Sequence, residues 1–275
     1  MCNTDPLTSK GGSFAWGPSH RGSGGSGLDM PRWISWAAVY LVILAMGLLY
    51  QAGSMSWRCH MQRVLGWFRS CGLEPLVFDF LNTNTGNSNP YHSMAHGLRV
   101  GALAGQAMAS HTLPDVEAFG SVTESNLVRT ATVAGLFHDW GHPGKGGTDD
   151  KENVERAAQK VMQLEDGQYG FTGTMAAAAI LDTAFPYEGD PVEALGGLLR
   201  DADIWHMADL TEEEFLEAQA GLAAELGVPL AEWIAGNATF LSDVMAWTPW
   251  GKDKAMGNRE RMVAWCKRWG VKLGG

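Results

Sequence analysis

Cysteine is scarce in this chain of 275 residues, and the four present, Cys2, Cys59, Cys71 and Cys266, make no Cys-x-x-Cys pair and no regular framework. A thiolate zinc module and a disulfide-stapled scaffold are thereby excluded, and reduced thiols in a cytoplasmic compartment are expected. Alternating apolar and polar runs are almost absent, so a core built of strands is not expected. No internal repeat is visible, which excludes a solenoid. Positive charge is also short: beyond His60, 16 basic residues face 28 acidic ones. An acidic body repels a polyanion, which argues against extended nucleic acid as a partner, whereas bound cations could still draw in a small phosphate ligand. Between Trp33 and Trp57 charge of either sign is missing altogether.

What is present is globular. Hydrophobic residues make up 45% of the chain and charged ones 18%, with 12 Trp and 13 Met, a composition suited to bulky helical packing around one large core. The length fits one domain with an appendage. Residues 1–29 include a Gly- and Ser-rich stretch with little to bury and read as a disordered tail. Residues 30–54 read as a single membrane-spanning helix, the apolar stretch 33–52 being long enough to cross a bilayer with Trp33, Trp36, Tyr50 and Trp57 near its interfaces. Arg58, Arg63 and Arg69 on its carboxyl side outweigh Arg21 and Arg32, which places the following domain in the cytoplasm. A secretory signal, a buried core helix, or a start at Met30 or Met55 are the competing readings of this segment, and without an anchor the protein is expected to be soluble and cytoplasmic.

Residues 55–275 read as one all-α domain. Helical periodicity is expected over 61–71, 98–110, 124–138 and 175–184, the last ending before Pro186. Thr211 opens a further helix with a hydroxyl cap, an acidic first turn at Glu212, Glu213 and Glu214, and apolar positions Phe215, Leu216, Leu222 and Leu226.

The chemistry-bearing residues fall in separated clusters. His92 and His96 are four apart and would face the same way on a helix, one turn from each other; such a pair serves ordinary packing or capping as readily as metal ligation. The spacing recurs at His138 and His142. Asp139 follows the apolar run Ala134-Gly135-Leu136-Phe137, and burying a carboxylate there is costly unless a cation or a donor compensates, so the site is either a metal ligand or a buried ion pair. Asp201 and Asp203 bring two more carboxylates into an apolar helix; Asp201 could instead be solvated or paired with Arg200.

Together His96, His138, Asp139 and Asp203 resemble the metal set of the HD phosphohydrolase superfamily, named for its His-Asp doublet. The segments Asn89-Pro90-Tyr91-His92-x-x-x-His96 and His138-Asp139-x-x-His142-Pro143-Gly144 look like the two signature segments of the cyclic-nucleotide phosphodiesterases. Ala202-Asp203-Ile204 looks like that branch's late metal-binding aspartate, which favours Asp203 over Asp201. The resemblance is confined to motifs between Asn89 and Asp203, with a possible extension to Phe240.

The resemblance implies an HD-domain helical bundle with a metal centre. His96, His138, Asp139 and Asp203 would hold a first ion, zinc, manganese or iron, and Asp139 would bridge to a second, magnesium or manganese. Metal-bound hydroxide would attack phosphorus in line, His92 would protonate the departing oxygen as general acid, and His142 would hydrogen-bond metal-bound water. A small nucleotide is the implied substrate, a cyclic nucleotide or a similar small phosphodiester. The family's base-reading glutamine and stacking phenylalanine have their nearest counterparts in Asn237 and Phe240, the first a departure that shortens the side chain by one methylene. The family's further acidic residue has no clear counterpart, with Asp150, Glu152 and Glu155 all in range. A nucleotide phosphomonoesterase, an HD-type di-iron oxygenase and a non-hydrolytic, membrane-tethered nucleotide sensor are the alternatives.

Overall fold

A computed structural model of the chain describes residues 55–86, 88–110, 122–144, 150–164 and 169–274. The tail at 1–29 and the apolar stretch at 33–52 lie outside the described residues, and so does the side chain of Cys59. Among the described residues no helix is long and apolar enough to cross a membrane. The chain divides into two units between Gln62 and Arg63. Only the opening turns of the first helix belong to the described part of the first unit, so the packing below is that of the second.

Eleven α-helices and one 3-10 turn, with no strand, make up the regular structure of the described residues. They are α1 (Met55–Ser70), α2 (Glu74–Thr83), α3 (Met94–Ser110), α4 (Glu124–Phe137), α5 (Asp150–Gln163), α6 (Gly173–Leu181), α7 (Ala194–Trp205) followed by the 3-10 turn His206–Asp209, α8 (Glu212–Leu226), α9 (Leu230–Asp243), α10 (Pro249–Ala255) and α11 (Arg259–Gly274). Their ends follow local chemistry. Thr123 caps α4 by accepting from the Asn126 amide, and Thr211 and Glu214 form the reciprocal capping box that the acidic first turn of α8 announces. That helix stops at Gly227, whose φ of 68° lets the chain turn left-handed. The helix expected to run to Ala184 ends at Leu181 instead. There the backbone amide and hydroxyl of Thr183 both donate to the Ile180 carbonyl, terminating it short of Pro186.

Of the apolar positions expected on α8, Phe215 and Leu216 pack into the core and Leu226 does not. Phe215 is buried, but its inward neighbours are Gln219, Ala223 and Glu225, whereas Leu226 is 41% exposed. The inner face of α8 therefore carries two polar side chains, each with a tertiary partner.

The crossing of α3 and α4 organises the site. Glycines occupy the contact: a Cβ on Gly135 would lie 2.7 Å from the Cα of Gly101, and one on Gly101 would lie 2.8 Å from both Leu136 N and Thr132 O. One turn away, a Cβ on Gly97 would meet Leu136 O at 2.8 Å. The two backbones thus touch directly, and His96 is brought beside the last turn of α4. Trp67 on α1 closes the other end of this crossing, its indole N–H donating to Thr132 Oγ1 at 3.1 Å. Around α7 to α11 a second group of buried side chains, including Trp205, Phe215, Ile234, Leu241 and Met262, holds the carboxyl-terminal helices.

Because the atoms facing Gly135 are backbone, no side chain can step aside for a methyl group. Gly135→Ala is expected to lower stability by roughly 1–2 kcal/mol in urea unfolding, because a clash with unyielding backbone takes the upper part, about 2–3 kcal/mol, of the usual overpacking cost and exceeds the ~1 kcal/mol gained in helix propensity. An unchanged or raised midpoint would show that the two helices can separate without penalty.

Candidate metal centre

Four side chains from three helices converge on one point. His96 projects from the first turn of α3, His138 is the C-cap residue of α4, Asp139 follows it, and Asp203 lies in the last turn of α7. His96 Nε2 is 3.2 Å from His138 Nε2, 3.1 Å from Asp139 Oδ2 and 3.1 Å from Asp203 Oδ1. His138 Nε2 is 2.8 Å from Asp139 Oδ2 and 3.4 Å from Asp203 Oδ1. Donors bound to one ion at about 2.0–2.2 Å stand roughly 2.8–3.6 Å from each other in tetrahedral or octahedral arrangements, and these separations match.

The hydrogen bonding points the same way. The His138 Nδ1–H donates to the Gly135 carbonyl at 2.8 Å, which fixes the neutral tautomer with the Nε2 lone pair turned to the cluster. Asp139 Oδ2 is buried and, despite its short approaches, makes no hydrogen bond among the described residues. Two carboxylates and two imidazoles with their acceptor atoms turned inward demand positive charge. Burial disfavours the His138 cation, but the Asp139 and Asp203 carboxylates overcome it and hold its pKa well above the ordinary value. Burial likewise opposes ionisation of Asp139, yet His138 and His92 keep its pKa well below the carboxylate range. These groups could hold a divalent metal ion.

His92 does not share the helical face of His96 that their spacing suggests. Helix α3 begins only at Met94, leaving His92 in the preceding turn. The amides of Tyr91 and His92 both donate to Glu225 Oε1, at 2.5 and 3.0 Å, and the His92 Nδ1–H donates to Glu225 Oε2 at 2.6 Å. The approach is close because Gly221, one turn before Glu225 on α8, leaves room for Pro90: a Cβ there would lie 2.6 Å from the Pro90 carbonyl oxygen. His142 is turned away from His138 by Gly141, whose φ is 76°. Its ring stacks on His92 at 3.9 Å between centroids. Asn89 ties the two motifs together, donating to the carbonyls of His142 at 2.8 Å and His92 at 3.3 Å. His142 is pushed down to about 4, by burial first and by the neighbouring His92 second, and stays neutral. Its Nδ1 accepts from the Gly144 amide at 3.0 Å, so the proton sits on Nε2.

The two aspartates of α7 separate cleanly. Asp203 joins the cluster, while Asp201 is fully buried and accepts from the Trp247 amide at 3.0 Å and from the Thr248 amide and hydroxyl at 2.8 and 2.7 Å. Asp201 does not pair with Arg200, which donates instead to the carbonyls of Asp182 and Gly189. Asn237 is buried on α9, its amide nitrogen donating to Gln219 Oε1 at 2.8 Å and contacting Cys266 Sγ at 3.9 Å. Phe240 is half-buried and meets Phe185 edge-on at 6.1 Å, continuing through Tyr187 to Trp247 as a run of aromatic rings. Neither is among the residues gathered at the cluster. Of the acids in range after the second motif, Asp150 accepts from the Phe185 amide at 2.6 Å. Glu225 and His206, both buried at the site, were not singled out by the sequence, which offered no motif around either.

No protein-family model, curated protein or solved structure matches the chain.

The contrast between the aspartates is directly measurable. Asp203→Asn is expected to abolish retention of a transition ion after dialysis. Asp201→Asn should retain the ion while costing about 1–3 kcal/mol of stability, because it weakens three hydrogen bonds to a buried acceptor. The reverse pattern in elemental analysis and urea unfolding would exchange their roles.

Proposed function

We propose that this chain is an HD-type metal-dependent phosphohydrolase that opens a cyclic nucleotide or a similar small phosphodiester. The observation that carries the reading is a histidine beside the inward-facing cluster but outside it, held by its own carboxylate. His92 is bound through Nδ1 to Glu225, so the ring nitrogen left to meet a substrate is Nε2. Burial lowers the His92 pKa, but Asp139 and Glu225 more than offset this and raise it above the ordinary imidazole value. The ring therefore holds its proton to higher pH than a free imidazole does and can give it to a departing ribose oxygen, as diester cleavage needs.

In this reading His96, His138, Asp139 and Asp203 would hold a first divalent ion, with Asp139 also available to a second; such ions would supply positive charge against the phosphate oxygens and a water of lowered pKa. His142, neutral and protonated on Nε2, is a hydrogen-bond donor that does not compete with His92 for the acid role. Glu225 both orients His92 and fixes the turn that carries it, through its two backbone amides. The aromatic run from Phe240 through Phe185 and Tyr187 to Trp247 is the surface offered to a nucleobase, Phe185 being 54% exposed. Asn237, with its amide nitrogen engaged by Gln219, would have only its carbonyl oxygen for a base edge. The apolar stretch at 33–52 would tether this domain to the cytoplasmic face of a membrane.

The test is hydrolysis of cyclic AMP and cyclic GMP by the full chain loaded with manganese, or with zinc plus magnesium, beside nucleoside monophosphates. Ring opening is expected, with His92→Asn lowering kcat by roughly 10²–10⁴-fold at unchanged metal content. Glu225→Gln removes a carboxylate that favours the imidazolium, so the alkaline limb of its kcat/KM profile should move to lower pH. Inorganic phosphate released from monophosphates without ring opening would move the protein to the nucleotidases, and bound iron with oxygen consumption to the oxygenases.

A further inference from the structure

His206 follows α7 as the first residue of the 3-10 turn, three positions after Asp203, so the two side chains project to the same side. Its ring is buried, 5% exposed, and its Nδ1–H donates to the Asp203 carbonyl at 2.5 Å. This reproduces the arrangement of His138. Each histidine is the C-cap residue of its helix in an αR backbone conformation, and each donates from Nδ1 to the carbonyl three residues earlier. In both, the hydrogen bond leaves Nε2 as the bare, basic nitrogen.

The placement agrees. The His206 ring lies 4.8 Å from that of His96 at 73°, and the His138 ring lies 5.0 Å from His96 at 57°. Two imidazoles at right angles on one ion, with metal–nitrogen distances of about 2.1 Å, place their ring centres about 4.5 Å apart. His96 thus stands between two similarly prepared imidazoles, one from each of the helices that supply the carboxylates.

We infer that His206 is a third imidazole ligand of the first metal ion, completing a set of three histidines and two aspartates. The inference rests on the reading of the cluster as a metal centre, not on the reaction proposed for it. Five protein ligands raise the coordination number above four, leaving a six-coordinate ion a single position for water or a phosphate oxygen.

The full chain, stripped with a chelator and given one equivalent of cobalt(II), provides the test. Each imidazole bound through Nε2 carries one Nδ1–H whose proton resonance is shifted far outside the diamagnetic range by the ion. Three such exchangeable signals are expected, and His206→Asn, which keeps a donor for the Asp203 carbonyl, should remove one of them. The same substitution should raise the visible absorptivity of the cobalt protein as the coordination number falls and weaken metal retention at least about tenfold. Two signals in the unaltered protein, or a cobalt spectrum unmoved by His206→Asn, overturns the assignment of His206 while leaving the metal centre intact. Failure of the unaltered protein to take up cobalt overturns the metal centre and the inference with it. The count on the unaltered chain decides the matter even if the variant does not fold.

Discussion

Direct backbone contact between α3 and α4 is the constraint from which the rest of the site follows. Gly97, Gly101 and Gly135 remove the side chains that would hold the helices at ordinary spacing. His96 and His138 can then bring their Nε2 atoms to 3.2 Å. That closeness is unfavourable for the side chains themselves, since it crowds basic nitrogens against two carboxylates in a buried place. The fold holds in position a group of atoms that only a cation, or a captured proton, can satisfy.

A second set of contacts keeps His92 and His142 apart from the four-residue cluster. His92 and His142 belong to the same sequence motifs as His96 and His138, but Gly141 and the late start of α3 send them elsewhere. Glu225 then fastens the His92 turn with three hydrogen bonds, and Gly221 on the same helix makes the approach close enough. Charge follows geometry. The Asp139 and Glu225 carboxylates raise the pKa of His92 against its burial, whereas burial first and the neighbouring His92 second hold the stacked His142 neutral.

The clusters themselves were legible in the sequence. Histidine and aspartate are costly to place after an apolar helical run, which marked the clusters; the resemblance to the HD superfamily then picked out His96, His138, Asp139 and Asp203, all of which meet in the folded chain. The spacing of four misled in one respect, since equal spacing predicts a shared face only when the helix includes both residues, and His92 lies outside α3. Glu225 and His206 were illegible because a buried acid on an amphipathic helix and a lone histidine at a helix end look like surface residues until their partners are known. Asn237 and Phe240, placed by resemblance alone, are found on α9 among packing contacts with Gln219 and Phe185.

By itself the sequence determined an all-helical domain, several helix ends and the clusters of histidine and aspartate, because capping, periodicity and the cost of burying polar side chains act locally. Periodicity and burial cost could not separate Asp201 from Asp203, two residues apart on one helix, and beyond the resemblance that favoured Asp203 it is tertiary structure that shows where each side chain goes. Rotation around α7 gives the first to the amides of Trp247 and Thr248 and the second to the histidines. It also decided which carboxylate serves His92, since Glu225 lies 133 positions away in the chain. No local preference encodes such a pairing; it arises when α8 packs through Gly221 against the turn at Pro90.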